Sequence, residues 1–225
     1  MDKLFSVAID GPSAAGKSTI AKAISQTTGA LYLDTGAMYR AVGLYMLRRG
    51  IDPWDAAAVR AAIDGVVVRV TYLGGAQRVF LFDEDVSDAV RAHSVSDAAS
   101  AVSAVPEVRT RLVQMQREIA AGQRVVMDGR DIGTHVLPDA TLKIFLVAAP
   151  EVRARRRYLE LQARGSSGSF EEVLRDLIER DHNDSTRAAS PLEKSEGAFE
   201  IDSSELSVDE VVDQVIELLE RKTRG

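Results

Sequence analysis

Residues Leu4–Ile9 form a short apolar run that ends in Asp10, and Gly11-Pro12-Ser13-Ala14-Ala15-Gly16-Lys17-Ser18 follows at once. No bulky side chain stands in that loop. A lysine and two hydroxyls, Ser18 and Thr19, then open a helix-like stretch that runs to Thr28. A buried strand feeding a glycine-rich loop and then a helix is the start of an open α/β sheet, whose ligands lie outside the carboxyl ends of the strands. The loop matches the phosphate-loop pattern of two glycines followed by lysine and a hydroxyl residue. Glycine lets successive backbone N–H groups turn inward, and the helix N-terminus adds the positive end of its dipole. Small residues fill the loop because phosphates occupy the space. Lys17 is placed to reach the β- and γ-phosphates of a nucleotide, and Ser18 to ligate Mg²⁺. A glycine-rich turn with a surface lysine is the plainer alternative, but the strand before and the helix after favour phosphate.

The pattern beyond the loop alternates strand-like and helix-like segments. Helices are expected at Gly36–Arg49, Asp55–Ile63, Ser94–Ala121 (broken at Pro106), Pro150–Arg164 and Phe170–Arg187. Arg124–Met127 and Leu142–Val147 are short apolar runs of the buried parallel type, and Phe199–Ile201 is a last short strand. Ser207-Val208-Asp209-Glu210 is a capping box opening a helix with Val208, Val211, Val215 and Leu219 on its apolar face. Two stretches interrupt a minimal wound sheet. Val66–Leu73 and Arg78–Phe82, separated by Gly74-Gly75, suggest a hairpin in a region of about 65–85. Gly165–Gly168 is a flexible tip between two charged helices. Both are expected as insertions at the edge of one core rather than as separate domains.

A phosphate loop specifies nucleotide binding but no reaction, since GTPases, motor ATPases and small-molecule kinases all use it. A guanine-specific N-K-x-D element is absent from the sequence. The length and two edge insertions favour a nucleoside monophosphate kinase, in which two flaps close over two nucleotides. Three further segments carry candidate chemistry. Thr35 is a plausible N-cap for the second helix, with Arg40 about one turn further on; an ordinary cap with a solvated arginine remains open. Asp128 ends the strand Val125–Met127, where a Mg²⁺-associated carboxylate belongs, and Arg130 and Asp131 follow on a glycine-hinged loop; a structural ion-pair loop is the alternative. Arg180, Asp184 and Arg187 share a helical face by spacing, and Arg153–Arg157 is a second basic run. Both could be solvated salt-bridged faces. Beside a polyphosphate cleft they become clamps, because the planar guanidinium fork suits phosphate oxygens.

Composition narrows the partners. At 45% hydrophobic and 28% charged residues the chain can bury a sizeable core. A net charge of −6 argues against a dedicated nucleic-acid binder. The absence of cysteine excludes a disulfide framework and thiolate zinc sites. His93, His135 and His182 lack metal-ligand spacing. The N-terminal MDKLFSVAID is too short and acidic for a secretory signal, and no stretch approaches a membrane span. A cytoplasmic location is expected, with no nucleic-acid or membrane partner.

With these residues in view, the chain resembles the bacterial cytidylate kinases. The matches are GPSAAGKST (11–19), LDTGAMYR (33–40), DAASAVSAVPEVR (97–109), MDGRDIGT (127–134) and RDHNDSTRAASPL (180–192), spread over the whole length. The resemblance implies one P-loop NTPase-type domain over residues 1–225: an open parallel sheet flanked by helices. It carries a β-rich region of about 35–105 that binds the nucleoside monophosphate, and a short lid of about 153–168. It implies transfer from Mg-ATP to CMP or dCMP, and a monomer is expected. Gly11 to Thr19, with the lid arginines Arg153 and Arg157, would then hold ATP, and Ser18 and Asp128 the Mg²⁺. Thr35, Arg40, Arg130, Arg180, Asp184 and Arg187 would hold the acceptor's phosphate and sugar, and Ser100, Arg109 and Asp131 would read the cytosine. Many relatives carry serine where this chain has Thr35, and the added methyl keeps the hydroxyl. Lys17, Asp128, Arg130 and Arg180 are the expected catalytic set. Another small-molecule kinase, or a nucleotide-binding module without activity, is the competing class.

Overall fold

The computed structural model describes residues 3–163, 165 and 168–224. Arg164, Ser166 and Ser167, within the expected lid of about 153–168, lie outside them. The strands are β1 (Ser6–Asp10), β2 (Leu31–Asp34), β3 (Val68–Leu73), β4 (Ala76–Leu81), β5 (Glu84–Asp85), β6 (Val125–Gly129), β7 (Leu142–Val147) and β8 (Phe199–Asp202). The helices are α1 (Lys17–Thr28), α2 (Thr35–Arg48), α3 (Ala56–Ile63), α4 (His93–Val102), α5 (Pro106–Ala120), α6 (Pro150–Ala163), α7 (Phe170–Thr186) and α8 (Val208–Arg224). They form two compact units, one before Leu31 and from Gly122 onward, the other Leu31–Ala121.

The first unit is built on parallel strands in the order β6-β1-β7-β8. Val7, Ala8 and Ile9 of β1 are fully buried, as a strand covered on both faces must be. The register sets Ile9 beside Asp128 and Asp10 beside Gly129. Parallel pairing therefore delivers the loops after β1 and β6 to the same carboxyl edge. Helix α1 buries Ile20, Ala21 and Ile24, and α8 buries Val211, Val212, Val215 and Leu219. Val208, expected on that apolar face, is exposed at the first position of α8, and Val212 is buried in its stead. The capping box forms as expected: Glu210 N–H donates to Ser207 Oγ, and Ser207 N–H to Glu210 Oε2.

The second unit carries the inserted β-structure. Strands β3 and β4 pair antiparallel, with Leu73 opposite Ala76 and Gly74-Gly75 as the two-residue turn. Their φ values of +58° and +79° are what a type I′ hairpin turn requires. Strand β5, too short for a sequence period, adds a third strand. Strand β2 was also unexpected, since four residues between Gly29-Ala30 and a helix start show no alternation to detect. Pro106 opens α5 at its first turn, so the break expected there separates α4 from α5.

Helix α2 packs on α4 at its closest through Gly43. A Cβ at this position would lie 2.9 Å from the Ala99 backbone nitrogen and 3.0 Å from the Ala98 carbonyl carbon. Gly43→Ala gains about 1 kcal/mol of helix propensity, but overpacking against backbone costs about 1–3 kcal/mol. The overpacking should win. We expect a net loss near 1 kcal/mol in urea unfolding; a more stable variant would show that α4 can step aside without cost.

Candidate active site

The phosphate loop is shaped by three backbone positions. Gly11 has φ +147°, and a Cβ there would meet the Leu146 carbonyl oxygen at 2.0 Å, so no side chain fits. Gly16, at φ +93°, is the N-cap of α1, and Ala14 is held in the left-handed region at φ +59°. Ser203, buried at the end of β8, donates through Oγ to the Ala15 carbonyl at 3.2 Å and accepts from Arg156. That fixes the loop from behind.

Lys17 is no surface lysine. Only 6% of it is exposed, and its Nζ donates to the Pro12 carbonyl at 2.6 Å. Burial, reinforced by the neighbouring Arg130 charge, holds its ammonium down to about 7, against the pull of Asp128, Asp184 and Asp10. Ser18 Oγ donates to Asp128 Oδ2 at 2.7 Å. This pair of hard oxygens suits Mg²⁺, which takes one or two protein ligands and fills its other positions with phosphate and water. Among the described residues no cluster of three or more His, Cys, Asp or Glu could hold a metal alone.

Arg130 joins the loops. Its Nε donates to Asp184 Oδ2 at 2.7 Å and its Nη2 to Ser13 Oγ at 2.7 Å. Burial pulls its guanidinium down, but Asp184, Asp181 and Asp128 outweigh that and hold it above its ordinary range. Asp184 shows the converse: burial pushes its carboxyl up, and Arg130, Arg180 and Arg187 together hold it below the usual range. Arg187 Nη1 lies 3.6 Å from Asp184 Oδ1, so the spacing read on one helical face does assemble a cluster. Arg153 is 5% exposed and donates to the Ala148 carbonyl at 2.8 Å and the Ser13 carbonyl at 3.1 Å, and pairs with Asp181. Asp181 in turn accepts the Ser13 N–H at 3.1 Å. Arg157 pairs instead with Glu160 at 2.9 Å on the same helix.

Asp10 belongs to no motif in the sequence. Its two carboxylate oxygens accept from Ile132 N–H at 2.8 Å and Gly133 N–H at 2.7 Å. It thereby anchors a π-type turn, Ile132–Val136, directly after the buried Asp131. The available signal was a charged residue ending an apolar strand. Desolvation pushes its carboxyl up to about 6, despite the two N–H donors; Asp131 adds to the rise and Lys17 opposes it.

The remaining expected residues lie in the second unit. Asp34, not Thr35, caps α2: its Oδ1 accepts from Ala37 N–H at 2.9 Å, and Thr35 is the first helical residue. A carboxylate one position earlier reaches the third helical amide, which the Thr35 hydroxyl inside the helix does not. Asp34 Oδ2 also accepts from Arg40 Nη2 at 2.8 Å, while Arg40 Nε is buried with no partner among the described residues. Arg109 is buried and donates to the Ser103 carbonyl at 3.2 Å, and Ser103 Oγ donates to the Ser100 carbonyl at 2.8 Å. Ser100 and Arg109 thus share one local network. The Arg109 guanidinium also stands over the Tyr39 ring, 5.5 Å from its centroid.

Residues 7–221 match the family model described as cytidylate kinase. The cytidylate kinase of Caldicellulosiruptor bescii is 48% identical over 216 residues, covering 96% of each chain. That of Mycolicibacterium paratuberculosis is 50% identical over 218 residues, again 96% of each. Among solved structures, a gluconokinase from Sinorhizobium meliloti (TM-score 0.51, 16% identity, 97% of this chain and 94% of that one) shares the fold. So does shikimate kinase from Bacteroides thetaiotaomicron (TM-score 0.51, 14% identity, 97% and 99%). These neighbours place the first unit's sheet and loop among P-loop kinase folds.

The Asp10 carboxyl makes a pH-dependent prediction. Its pKa in the fold stands above the usual 3.8, so folding favours the protonated form. That stability is fully present below about pH 4 and is lost as pH rises through about 6. Asp10→Asn removes the dependence while keeping one acceptor oxygen. Relative to wild type, the variant should gain about 2 kcal/mol between pH 4.5 and 7 in urea unfolding. A constant difference across that window would mean that Asp10 stays charged throughout.

Proposed function

The chain belongs to the cytidylate kinase family and phosphorylates CMP, and on that premise we propose how its residues divide the work. ATP is the donor, and dCMP is taken as well as CMP. The observation that supports this most is the convergence of Lys17, Ser18, Asp128 and Arg130 at one carboxyl edge of the parallel sheet. Gly11 to Thr19 hold the donor's phosphates through backbone N–H groups and the α1 N-terminus. Ser18 and Asp128 would hold Mg²⁺, which would supply positive charge to the phosphates.

A phosphate oxygen of CMP attacks the γ-phosphorus; the bond from that phosphorus to the bridging oxygen breaks, and the electron pair leaves on ADP. Little covalent chemistry falls to the protein. Lys17, Arg130 and Arg180 meet the charge spread over the moving phosphoryl group. Thr35, Arg40, Arg187 and Asp184 hold the acceptor's phosphate and sugar, together with Arg130 and Arg180. The buried, unpartnered Nε of Arg40 supports a role for that guanidinium toward an oxyanion. Ser100, Arg109 and Asp131 read the cytosine. Arg153 and Arg157, within the lid of about 153–168, close over ATP and keep out water that would compete as acceptor. The region of about 35–105 receives the acceptor nucleotide. Among the described residues no helix is long and apolar enough to cross a membrane. We place the enzyme in the cytoplasm as a monomer whose partners are small molecules, not nucleic acid.

Lys17→Met tests the charge assignment. The fold disfavours the Lys17 ammonium, so its stability contribution is present above about pH 10.5 and is lost as pH falls through about 7. At pH 7 the variant should therefore melt no lower than wild type. Its kcat should fall at least about a hundredfold, the loss of one electrostatic contact to the transferring group. A kcat within about tenfold of wild type would remove Lys17 from the transfer.

Base selectivity tests Asp131. Its carboxylate accepts from the cytosine N4 amine, whereas uracil presents a carbonyl oxygen at that edge. Such a buried mismatch costs about 1–3 kcal/mol, and more beside a charge. We expect kcat/KM for CMP to exceed that for UMP by at least about a hundredfold, and Asp131→Ala to close the gap mainly by damaging CMP use. Wild-type use of both within about threefold, or full selectivity in Asp131→Ala, would overturn the base-reading role.

A further inference from the structure

Gln77, on β4 of the inserted hairpin, makes two hydrogen bonds to a residue 43 positions away. Its Oε1 accepts from the Asp34 N–H at 2.7 Å, and its Nε2 donates to the Asp34 carbonyl at 3.1 Å. One side-chain amide satisfies both backbone polar groups of Asp34, as a neighbouring strand would. Asp34 is the residue from which the start of α2 and Arg40 are held. Its Oδ1 caps the helix at Ala37 N–H, and its Oδ2 accepts from Arg40 Nη2. Gly36 leaves the space for this arrangement, since a Cβ there would lie 3.0 Å from Arg40 Nη1 and 3.2 Å from Asp34 Oδ1.

The chain of contacts runs from Gln77 through Asp34 to Arg40 without a break. We propose that Gln77 is a positioning residue for the acceptor nucleotide: its amide fixes Asp34, and Asp34 aims Arg40 at the acceptor's phosphate. The hairpin then has a stated role, as the element that delivers this amide. The proposal rests on the assignment of Arg40 to the acceptor in the proposed function. Gln77 acts through Arg40 and touches no reacting atom, so its removal affects acceptor binding rather than transfer. A hydrocarbon side chain of similar length breaks both bonds. Glutamate keeps the acceptor for the Asp34 N–H and loses the donor to the Asp34 carbonyl.

The test compares Gln77→Leu, Gln77→Glu, Arg40→Met and the double variant Arg40→Met/Gln77→Leu, each checked by thermal melting. Steady-state kinetics are measured with CMP and with ATP varied separately. Gln77→Leu should raise KM for CMP about tenfold, with kcat and KM for ATP within about twofold of wild type. Gln77→Glu should fall between, and it supplies the comparison if the leucine variant does not fold. In the Arg40→Met background, Gln77→Leu should add less than about twofold to KM for CMP, because its route is already cut. Unchanged KM for CMP in both Gln77 variants would overturn the proposal. So would parallel losses in kcat and both KM values, which mark a general structural tie, or an undiminished effect in the Arg40→Met background. If Arg40→Met alone leaves KM for CMP unchanged, the assignment of Arg40 is what fails, and the proposal falls with it.

Discussion

Burying the charge of Lys17 is the constraint from which the first unit's site is built. An ammonium taken out of water is costly unless opposite charge and hydrogen-bond acceptors stand close. The Pro12 carbonyl accepts from it at 2.6 Å, and Asp128, Asp184 and Asp10 favour its charged form. The parallel register brings two of those carboxylates to it from the ends of β1 and β6. Arg130 opposes the charge of Lys17, while Asp184, bound to Arg130 at 2.7 Å, favours the charged form of both. Sheet geometry and electrostatics therefore select each other here. A one-residue slip of β6 against β1 would carry Asp128 to the other face of the sheet.

The site is also held against its own stability. Asp10 is pushed toward its protonated form and Lys17 toward its neutral form, so each charge present at neutral pH works against folding. Ala14 adds backbone strain at φ +59°, a conformation that few side chains adopt readily. Such costs persist only where surrounding structure over-determines them. Ser203 and Arg156 behind the loop, and the Ile132 and Gly133 N–H groups that donate to Asp10, provide that surrounding structure.

What the sequence shows and hides follows from how far each interaction reaches along the chain. The phosphate loop, α1, β7 and the Gly74-Gly75 hairpin are local: spacing, period and turn chemistry specify them within a few residues. Residue types at the ends of strands also mark Asp128 and Arg130 as site candidates. The cap of α2 lies one position before Thr35: Asp34 and Thr35 are both good capping residues, and only the backbone angles decide between them. Asp10 and Gln77 were invisible for a different reason. Each acts on backbone N–H or carbonyl groups more than 40 positions away, and backbone groups leave no residue type in the sequence to match. The Arg153–Asp181 pair belongs to the same class: the basic run was legible, but its tie to Ser13 was not.

The same network bears on how phosphate enters. Every cation around the loop that has a described partner is already matched by protein: Arg130 by Asp184 and Ser13, Arg153 by Asp181, Lys17 by the Pro12 carbonyl. A polyphosphate brings several negative charges into this balance. Part of that charge meets donors already in use, because Arg130 has committed Nε, Nη1 and Nη2, and Arg153 Nε and Nη1, to protein acceptors. A phosphate oxygen that reaches for those committed donors displaces Ser13, Pro12 or an aspartate, and each acceptor displaced needs a new partner. The differential cost of those exchanges separates a ligand with the right phosphate geometry from a generic anion. An anion that displaces these contacts binds tightly only in so far as it repairs what it breaks.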